Sequence, residues 1–287
     1  MPERSDIHNL DRLIAWNADV LEGLLKQIVA TRSPNAERSV FDRVNSSELM
    51  RLEPKPHREQ DILGEICETI RFPTNRIIFH QDPSTVELPS IVKTQLRDFV
   101  KSVAGLHNDN PFHSFGHACH VLQSVIKLLA RVDATTSDSN KSKGMMPVLK
   151  IDPLTQFACA FSALIHDVDH YGLSNKQLAK KGMEIASVYN GRSVAEQNSF
   201  DVGWGLLMER RYNELRACIC STVAEMSRLR QLVVNLVMAT DILDKDLNFA
   251  RRKRWEEAFA GPFGDSSEVE TLNRKTTVVI EHLLQVR

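Results

Sequence analysis

The sequence has few of the residues that break helices. Only 12 glycines and 11 prolines occur among its 287 residues, and both shares lie below the averages of roughly 7% and 5%. Strict alternation of polar and apolar residues is scarce, so no strand-rich class is indicated. These absences favour an all-α fold.

An excess of one charge is also missing. The chain carries 36 Lys and Arg against 37 Asp and Glu, for a formal net charge of -1, which argues against a nucleic-acid partner held by a general positive field. The N-terminus lacks the apolar run of a signal peptide, and no apolar stretch reaches the roughly 20 residues that cross a bilayer. We therefore expect no membrane span in this chain, and a cytoplasmic protein or the cytosolic part of a larger one.

Cysteines are few and unpaired in their spacing. The count is five, an odd number, and there is no Cys-x-x-Cys pair. Cys159 and Cys218 lie inside apolar helical patterns. This usage favours buried free thiols in a reducing compartment over a disulfide scaffold.

Residues 1–60 are predicted to form an N-terminal helix and a polar linker. In residues 1–32 the apolar side chains recur at helical spacing, with Asn17 at the one polar position of the series. This stripe either packs against the chain's own body or forms a short coiled coil that makes a homodimer, and both interpretations are open. Residues 33–60 are polar without a steady period and are interpreted as a linker.

From residue 61 to residue 287 the apolar positions step by three and four almost without a break. This pattern predicts a second unit that is a multi-helix bundle. Within it, Asp152 followed by Pro153 predicts a capped helix start. The Ser, Asp, Lys and Gly content of Asp133–Pro147 predicts an exposed loop.

Two histidines form the first candidate cluster. His113 and His117 are four residues apart, which places both imidazoles on one helix face if the helix has begun by then. Such a pair can bind one metal, or divide into a metal ligand and an acid or base. The alternative is a helix entrance with two solvated histidines.

The second cluster, residues 166–170, brings four ionisable side chains to the end of an apolar run. Burying two carboxylates and two imidazoles without partners would be costly, and a divalent metal would remove that cost. His166 and Asp167 could bind the metal directly, while Asp169 and His170 orient ligands or bound water. The alternative is that the helix ends here and the cluster faces solvent.

Four segments, NPFHSFGHACHV, LIHDVDHYGLSN, SVAEQNSF and VMATDILD, occur in this order along the chain. Their order and spacing resemble class I 3',5'-cyclic-nucleotide phosphodiesterases, whose catalytic domains are metal phosphohydrolases of the HD type. The resemblance covers roughly residues 60–287. It implies an all-α catalytic domain that hydrolyses cAMP or cGMP to the 5'-monophosphate, with the cyclic nucleotide as the substrate.

The resemblance implies roles for the two clusters. His113 matches the general acid that protonates the leaving 3' oxygen. His117, His166 and Asp167 match ligands of a first metal, usually zinc. Asp167 also matches the bridge to a second metal, usually magnesium (or manganese). We expect His113, His117 and Asp167 to contact the substrate as well.

Three further residues match positions around these ligands. His170, Asn175 and Glu196 fall where the family places residues that hold metal-bound water or orient the ligands. We add Asp169 to this group from its place in the second cluster.

The chain also departs from the family pattern. Phe112-His113-Ser114 stands in place of Tyr-His-Asn, and Gln197-Asn198-Ser199 stands in place of Asn-His-His after Glu196. The sequence stops at Arg287, before the Asp-containing motif that supplies the fourth ligand of the first metal. The resemblance therefore implies a domain that is incomplete at its C-terminal end, with much of the nucleotide-recognition wall absent.

These departures keep two other functions open. One is a catalytically inactive phosphodiesterase fragment that acts as a binding or regulatory module. The other is an HD phosphohydrolase that acts on a nucleoside triphosphate, which the density of motif matches disfavours.

Two features outside the clusters have alternative interpretations. Asp241 lies on an apolar helix face, where it supports the site or pairs with a nearby arginine. The basic run 251–254 either binds an anionic partner or is a solvated helix face. The solvated face is favoured because Glu256 and Glu257 follow at once.

Overall fold

The computed structural model describes residues 4–32, 62–67, 69–73, 77–137, 151–259 and 268–285. Across these ranges the regular structure is helical and no strand occurs, which confirms the all-α class. The first four α-helices described are α1 (Arg4–Ala30), α2 (Ser90–Gly105), α3 (Phe115–Ser137) and α4 (Pro153–Ile165). Those that follow are α5 (Asn175–Lys180), α6 (Glu184–Val188), α7 (Val194–Met208), α8 (Asn213–Ile219), α9 (Val223–Met238), α10 (Lys245–Phe259) and α11 (Glu268–Leu283). Short 3₁₀ turns lie at Ile62–Glu65, Pro83–Thr85 and Arg210–Tyr212.

Helix α4 is the centre of the bundle. All of its residues except Gln156 are buried, and it packs against α1, α3, α7 and α9. The Asp152 side chain accepts hydrogen bonds from the backbone N–H groups of Leu154 and Thr155, which confirms the predicted cap. Its C-terminal end at Ile165 delivers residues 166–170 to the site.

Helix α1 packs on the chain's own body. Its buried stripe, which includes Leu21, Leu25 and Ile28, belongs to the same hydrophobic core as α4. The buried Asn17 amide donates to the Leu13 carbonyl at 2.6 Å and to the Cys119 sulfur at 3.0 Å. The stripe is thus used within the chain, and a homodimer through this helix stays a prediction.

Other sequence predictions have different outcomes. The five cysteines are free, and all but the half-buried Cys67 are buried, as expected. The predicted loop at Asp133–Pro147 begins too early, because α3 continues through Ser137. Adding a residue to a helix that has already formed costs little, so polar composition alone did not mark its end. Residues 138–147 of that loop and the predicted linker at 33–60 lie outside the described residues, and the domain boundary at residue 60 stays a prediction.

The interpretation of the basic run as a solvated face is wrong for Arg251. This residue is buried, and its guanidinium donates to backbone carbonyls at the C-terminal end of α9, at 2.9 Å from Ala239 and 2.8 Å from Asp241. The last carbonyls of a helix have no partner within the helix, so a donor from outside satisfies them. Arg251 therefore fixes α10 against the end of α9.

Arg254 is also turned inward. Its guanidinium donates to the carboxylate of the buried Glu281 at 2.9 Å and to the Cys67 carbonyl at 3.1 Å. Arg252 and Lys253, between the two inward arginines, are the exposed members of the run. Among the described helices, none is long and apolar enough to cross a membrane.

Candidate active site

The candidate site lies where the end of α4 meets the beginnings of α3 and α7 and the end of α9. His166 is the C-cap residue of α4, and Asp167 follows it. His117 lies in the first turn of α3, whereas His113 precedes the first residue of that helix. The two histidines therefore do not share one helix face, because the helix has not begun at His113.

Three side chains converge on one point. The Nε2 atoms of His117 and His166 lie 3.6 Å and 3.2 Å from Oδ2 of Asp167. A ligand atom from each of the three lies within 4.8 Å of the others. His166 donates from Nδ1 to the Ala163 carbonyl at 3.0 Å, which turns its Nε2 toward the other two. Imidazole nitrogen and carboxylate oxygen are ligands that zinc accepts.

A second set of three shares the same carboxylate. His113 donates from Nδ1 to Oδ2 of Asp167 at 3.0 Å. The His113 ring stacks on the His170 ring with centroids 3.6 Å apart. His113, Asp167 and His170 again offer ligand atoms within 4.8 Å of one another. Asp167 thus links both sets.

The charges of these groups suit a cation. Burial alone would raise the pKa of Asp167, but the hydrogen bond from His113 and the neighbouring imidazoles hold that pKa well below its usual range. Burial lowers the pKa of His170 to about 4, and the neighbouring His113 adds to this effect. An ionised carboxylate and neutral imidazoles are the forms that bind metals.

Asn175 and Glu196 form a separate network with Asp241. The Asn175 amide donates to Glu196 at 2.8 Å and to Asp241 at 3.2 Å. Ser193 donates from Oγ to the same Asp241 carboxylate at 2.7 Å. Burial raises the pKa of Glu196 to about 7, and the charge of Asp241 adds to this effect. Asn175 thus contacts Glu196 and Asp241 and does not line the cleft itself.

The orientation of Asp241 distinguishes the two roles that the sequence left open for it, support of the site and pairing with a nearby arginine. Its carboxylate faces Asn175 and Ser193 on the side of the site. The nearby arginine, Arg251, donates to its main-chain carbonyl instead. Asp241 therefore supports the network around Glu196.

Asp169 lies outside both sets of ligand atoms. Its carboxylate accepts hydrogen bonds from the amides of Asn108, at 3.1 Å, and Asn198, at 3.0 Å. Asn198 comes from α7, and Asn108 from the segment between α2 and α3. The sequence did not single out either amide for a role at the site, because both contacts join distant parts of the chain.

An open cleft lies over the converging side chains, and its volume of about 470 Å³ includes space that is open to solvent. The cleft is lined by Phe112, His113, His117, Val121, His166, Asp167, His170, Glu196, Thr240, Ile242, Leu284 and Gln285. Sequence reasoning missed Thr240, although the segment VMATDILD that contains it was already one of the matched motifs.

Residues 112–283, more than half of the chain, match the sequence profile of the family described as 3'5'-cyclic nucleotide phosphodiesterase. The chain belongs to this family. Membership of the phosphodiesterase family confirms the resemblance inferred from the histidine motifs. The histidines of these motifs fall inside the matched range, which begins at Phe112.

Individual relatives agree with this assignment. The cGMP-specific 3',5'-cGMP phosphodiesterase 3 of Dictyostelium discoideum is 25% identical over 194 residues, which are 68% of this chain and 38% of that protein. The 3',5'-cyclic-AMP phosphodiesterase 4C of Mus musculus is 34% identical over 138 residues, 47% of this chain and 18% of that protein.

A solved structure is also similar. The phosphodiesterase domain of the RhoPDE fusion protein from the choanoflagellate Salpingoeca rosetta superposes with a TM-score of 0.52 and 27% identity, over 67% of this chain and 53% of that chain. The phosphodiesterase chain described here therefore spans about half of that solved domain and less than half of these two curated relatives.

Proposed function

We propose that this chain hydrolyses 3',5'-cyclic nucleotides, cAMP or cGMP, to nucleoside 5'-monophosphates with the help of two divalent metal ions. The observation that carries the proposal is the convergence of His117, His166 and Asp167 on one point, with His113 bonded to the same carboxylate. Family membership supports the class of reaction. The choice between cAMP and cGMP stays open.

The donor atoms fit the proposed metals. Two imidazole nitrogens and a carboxylate oxygen, all within 4.8 Å, suit a zinc ion. The same Asp167 carboxylate, shared by the second set, suits a harder ion such as Mg²⁺ or Mn²⁺. When bound, such a metal pair supplies a hydroxide near neutral pH and neutralises charge on the phosphoryl oxygens.

The chain's own residues would divide the remaining work. His113 holds its ring with Nδ1 on Asp167 and keeps Nε2 free to give a proton to the leaving 3' oxygen. Imidazole is the side-chain group that most often serves as a general acid or base in enzymes. Glu196, which lines the cleft, would hold water there, and Asn175 would orient it. Asp169 and His170 would keep the turn that carries Asp167 in place.

The direct test is to assay the purified chain with cAMP and cGMP in the presence of Zn²⁺ and Mg²⁺. We expect turnover, and His113→Gln should reduce kcat by about 10²–10⁴-fold, the usual contribution of a general acid. His113→Gln should retain bound zinc, whereas His166→Ala should lose it. His120→Gln is the matched control, because His120 lies on α3 close to His117 but is exposed and outside the cleft.

The outcomes separate the candidate functions. The proposal would be contradicted if neither nucleotide is turned over by this chain or by a chimera that carries the C-terminal region of the Dictyostelium relative. A folded chain that contains no zinc and shows no turnover would favour the non-catalytic binding module instead. Elemental analysis of the purified protein distinguishes these cases before any kinetic work.

A further inference from the structure

The backbone at Asp169 adopts an unusual conformation. Its φ is 55°, in the left-handed region that residues with side chains rarely adopt. Such a conformation persists where the surroundings hold it, and it often occurs at functional sites. Aspartate enters this region more readily than most residues, and Asp169 also makes contacts with neighbouring elements.

Three hydrogen bonds hold Asp169 from two sides. Its N–H donates to the Leu106 carbonyl at 2.9 Å, so the backbone is tied to the end of α2. One carboxylate oxygen accepts from the exposed Asn108 at 3.1 Å, and the other accepts from the buried Asn198 at 3.0 Å. Each oxygen thus has its own amide donor from a different part of the chain.

The turn at Asp169 decides where the next side chain points. The carbonyl of His170 accepts hydrogen bonds from the amides of Asn108 at 3.3 Å and Asn110 at 3.1 Å. The Nδ1 atom of its ring accepts from the Gly172 N–H at 3.0 Å, which fixes the ring plane. In this orientation the ring stacks on His113, with centroids 3.6 Å apart and an angle of 28° between the planes.

Helix α7 reinforces this arrangement through neighbouring residues. Ser199 donates from Oγ to the Val168 carbonyl at 2.7 Å, one residue before the left-handed turn. Gln197 points elsewhere and donates to the Arg192 carbonyl. Asn198 and Ser199 thus bind successive residues of the turn, and both belong to the segment that departs from the family pattern.

We infer that Asn198 and Asn108 are positioning residues that hold the His170 ring against His113. Asn198 acts through Asp169, and Asn108 acts through both Asp169 and the His170 carbonyl. The inference rests on the proposed function only where it treats His113 as the acid. The geometric part concerns the protein without metal or substrate. An amide donates at every pH, so this support does not depend on the protonation of a neighbouring imidazole.

The geometric part is tested by NMR on the metal-free protein. Stacked rings displace each other's imidazole proton resonances, and we expect Asn198→Ala and Asn108→Ala to lose this displacement at His113 and His170. Asn198→His should restore it, because an imidazole N–H can also donate to Asp169. Asn235→Ala is the matched control, since this buried amide instead donates to Cys67 and Glu281.

Kinetics add a second readout. Both alanine variants should lower kcat by about tenfold, the smaller effect seen for residues that orient a metal site, with KM little changed and with recovery in Asn198→His. If neither the wild-type chain nor the chimera shows turnover, the proposed function fails while the NMR result still decides the inference. Should Asn198→Ala not fold, the exposed Asn108→Ala carries the test. Retention of the wild-type displacement in either folded alanine variant overturns the inference.

Discussion

Helices α4 and α10 have similar lengths, 13 and 15 residues, yet different interactions hold them in place. In α4 every residue but Gln156 is buried, and apolar packing surrounds the helix. In α10 the buried residues are Arg251 and Ala258, while Phe249 and Trp255 are exposed. Guanidinium contacts to backbone carbonyls and to Glu281 tie α10 to its neighbours.

The comparison teaches where the site gets its rigidity. The helix that presents His166 and Asp167 is fixed by close packing, which tolerates little change in volume. Helix α10 depends on a few polar contacts, so the loss of any one of them should weaken its attachment. Substitutions in the two helices should therefore lower the free energy of unfolding by different amounts and with a different dependence on pH.

The largest effect is expected from Phe161→Ala in the middle of α4. Its ring is 1% exposed and stacks on Phe99 with centroids 5.7 Å apart. Loss of the ring should leave a cavity and lower the free energy of unfolding by about 3–5 kcal/mol. Urea unfolding followed by circular dichroism measures this value. A loss below about 1 kcal/mol would contradict the view that packing holds α4.

Arg254→Ala tests the polar attachment of α10. Glu281 is 1% exposed, and among the described residues it would keep the Asn235 amide as a hydrogen-bond donor and the charge of Arg251 nearby. We expect a loss of about 2–3 kcal/mol near pH 7, less than the roughly 3–5 kcal/mol for a fully buried pair, because the Arg254 side chain is partly exposed. Arg274→Ala is the control, since its partner Glu270 lies one turn away on the surface of α11.

The same variant should show a defined pH dependence. Burial raises the pKa of Glu281 above its ordinary value of 4.5 in the wild-type fold, and loss of Arg254 should raise it further. A carboxyl whose pKa is higher in the folded state than in the unfolded state destabilises the fold as the pH rises above its unfolded-state pKa. The stability that Arg254→Ala loses relative to the wild-type chain should therefore be small near pH 4 and grow toward pH 7. A deficit that does not change with pH would show that lost packing, rather than the buried charge, is responsible.

Gly203→Ala probes the contact between α7 and the end of α4. An added Cβ would lie 2.8 Å from Cβ of Ile165, the residue before His166. We expect a loss of about 1–3 kcal/mol from overpacking, together with weaker metal binding as the end of α4 shifts. Gly23→Ala on α1 is the control, because nothing lies within 4 Å of its added Cβ. Unchanged zinc affinity in Gly203→Ala would show that the site tolerates this shift.

The smallest effect is expected from Phe249→Ser on α10. This side chain is 72% exposed, so its loss should change the free energy of unfolding by no more than about 0.5 kcal/mol. Urea unfolding checks this value beside Phe161→Ala. A loss above about 1 kcal/mol would mean that the ring is covered in solution, and the contrast with α4 would narrow.

The features that the sequence predicted well depend on local interactions. The helical period, the cap at Asp152 and the free cysteines each follow from residues near one another in the chain. The convergence of His117, His166 and Asp167 is a long-range property. It could be anticipated because the motifs resemble a known family.

The features that the sequence predicted poorly depend on partners far along the chain. The run 251–254 has the composition of a solvent face, but the free carbonyls at the end of α9 and the buried Glu281 draw Arg251 and Arg254 inward. Asn108 and Asn198 meet only at Asp169, so neither carries a local signal of its role. Helix α3 begins at Phe115, two residues after His113, and the spacing of the histidines did not mark this start.

The place of α1 in the core has a practical consequence for protein production. The family match begins at residue 112, yet Leu21 and Leu25, more than eighty positions earlier, are 0% exposed in the shared core. An expression clone trimmed to the matched range would lack α1 and would expose the hydrophobic surface of α4 to water. Such a product should precipitate in the bacterial host, so soluble clones need to retain α1, which lies outside the matched range.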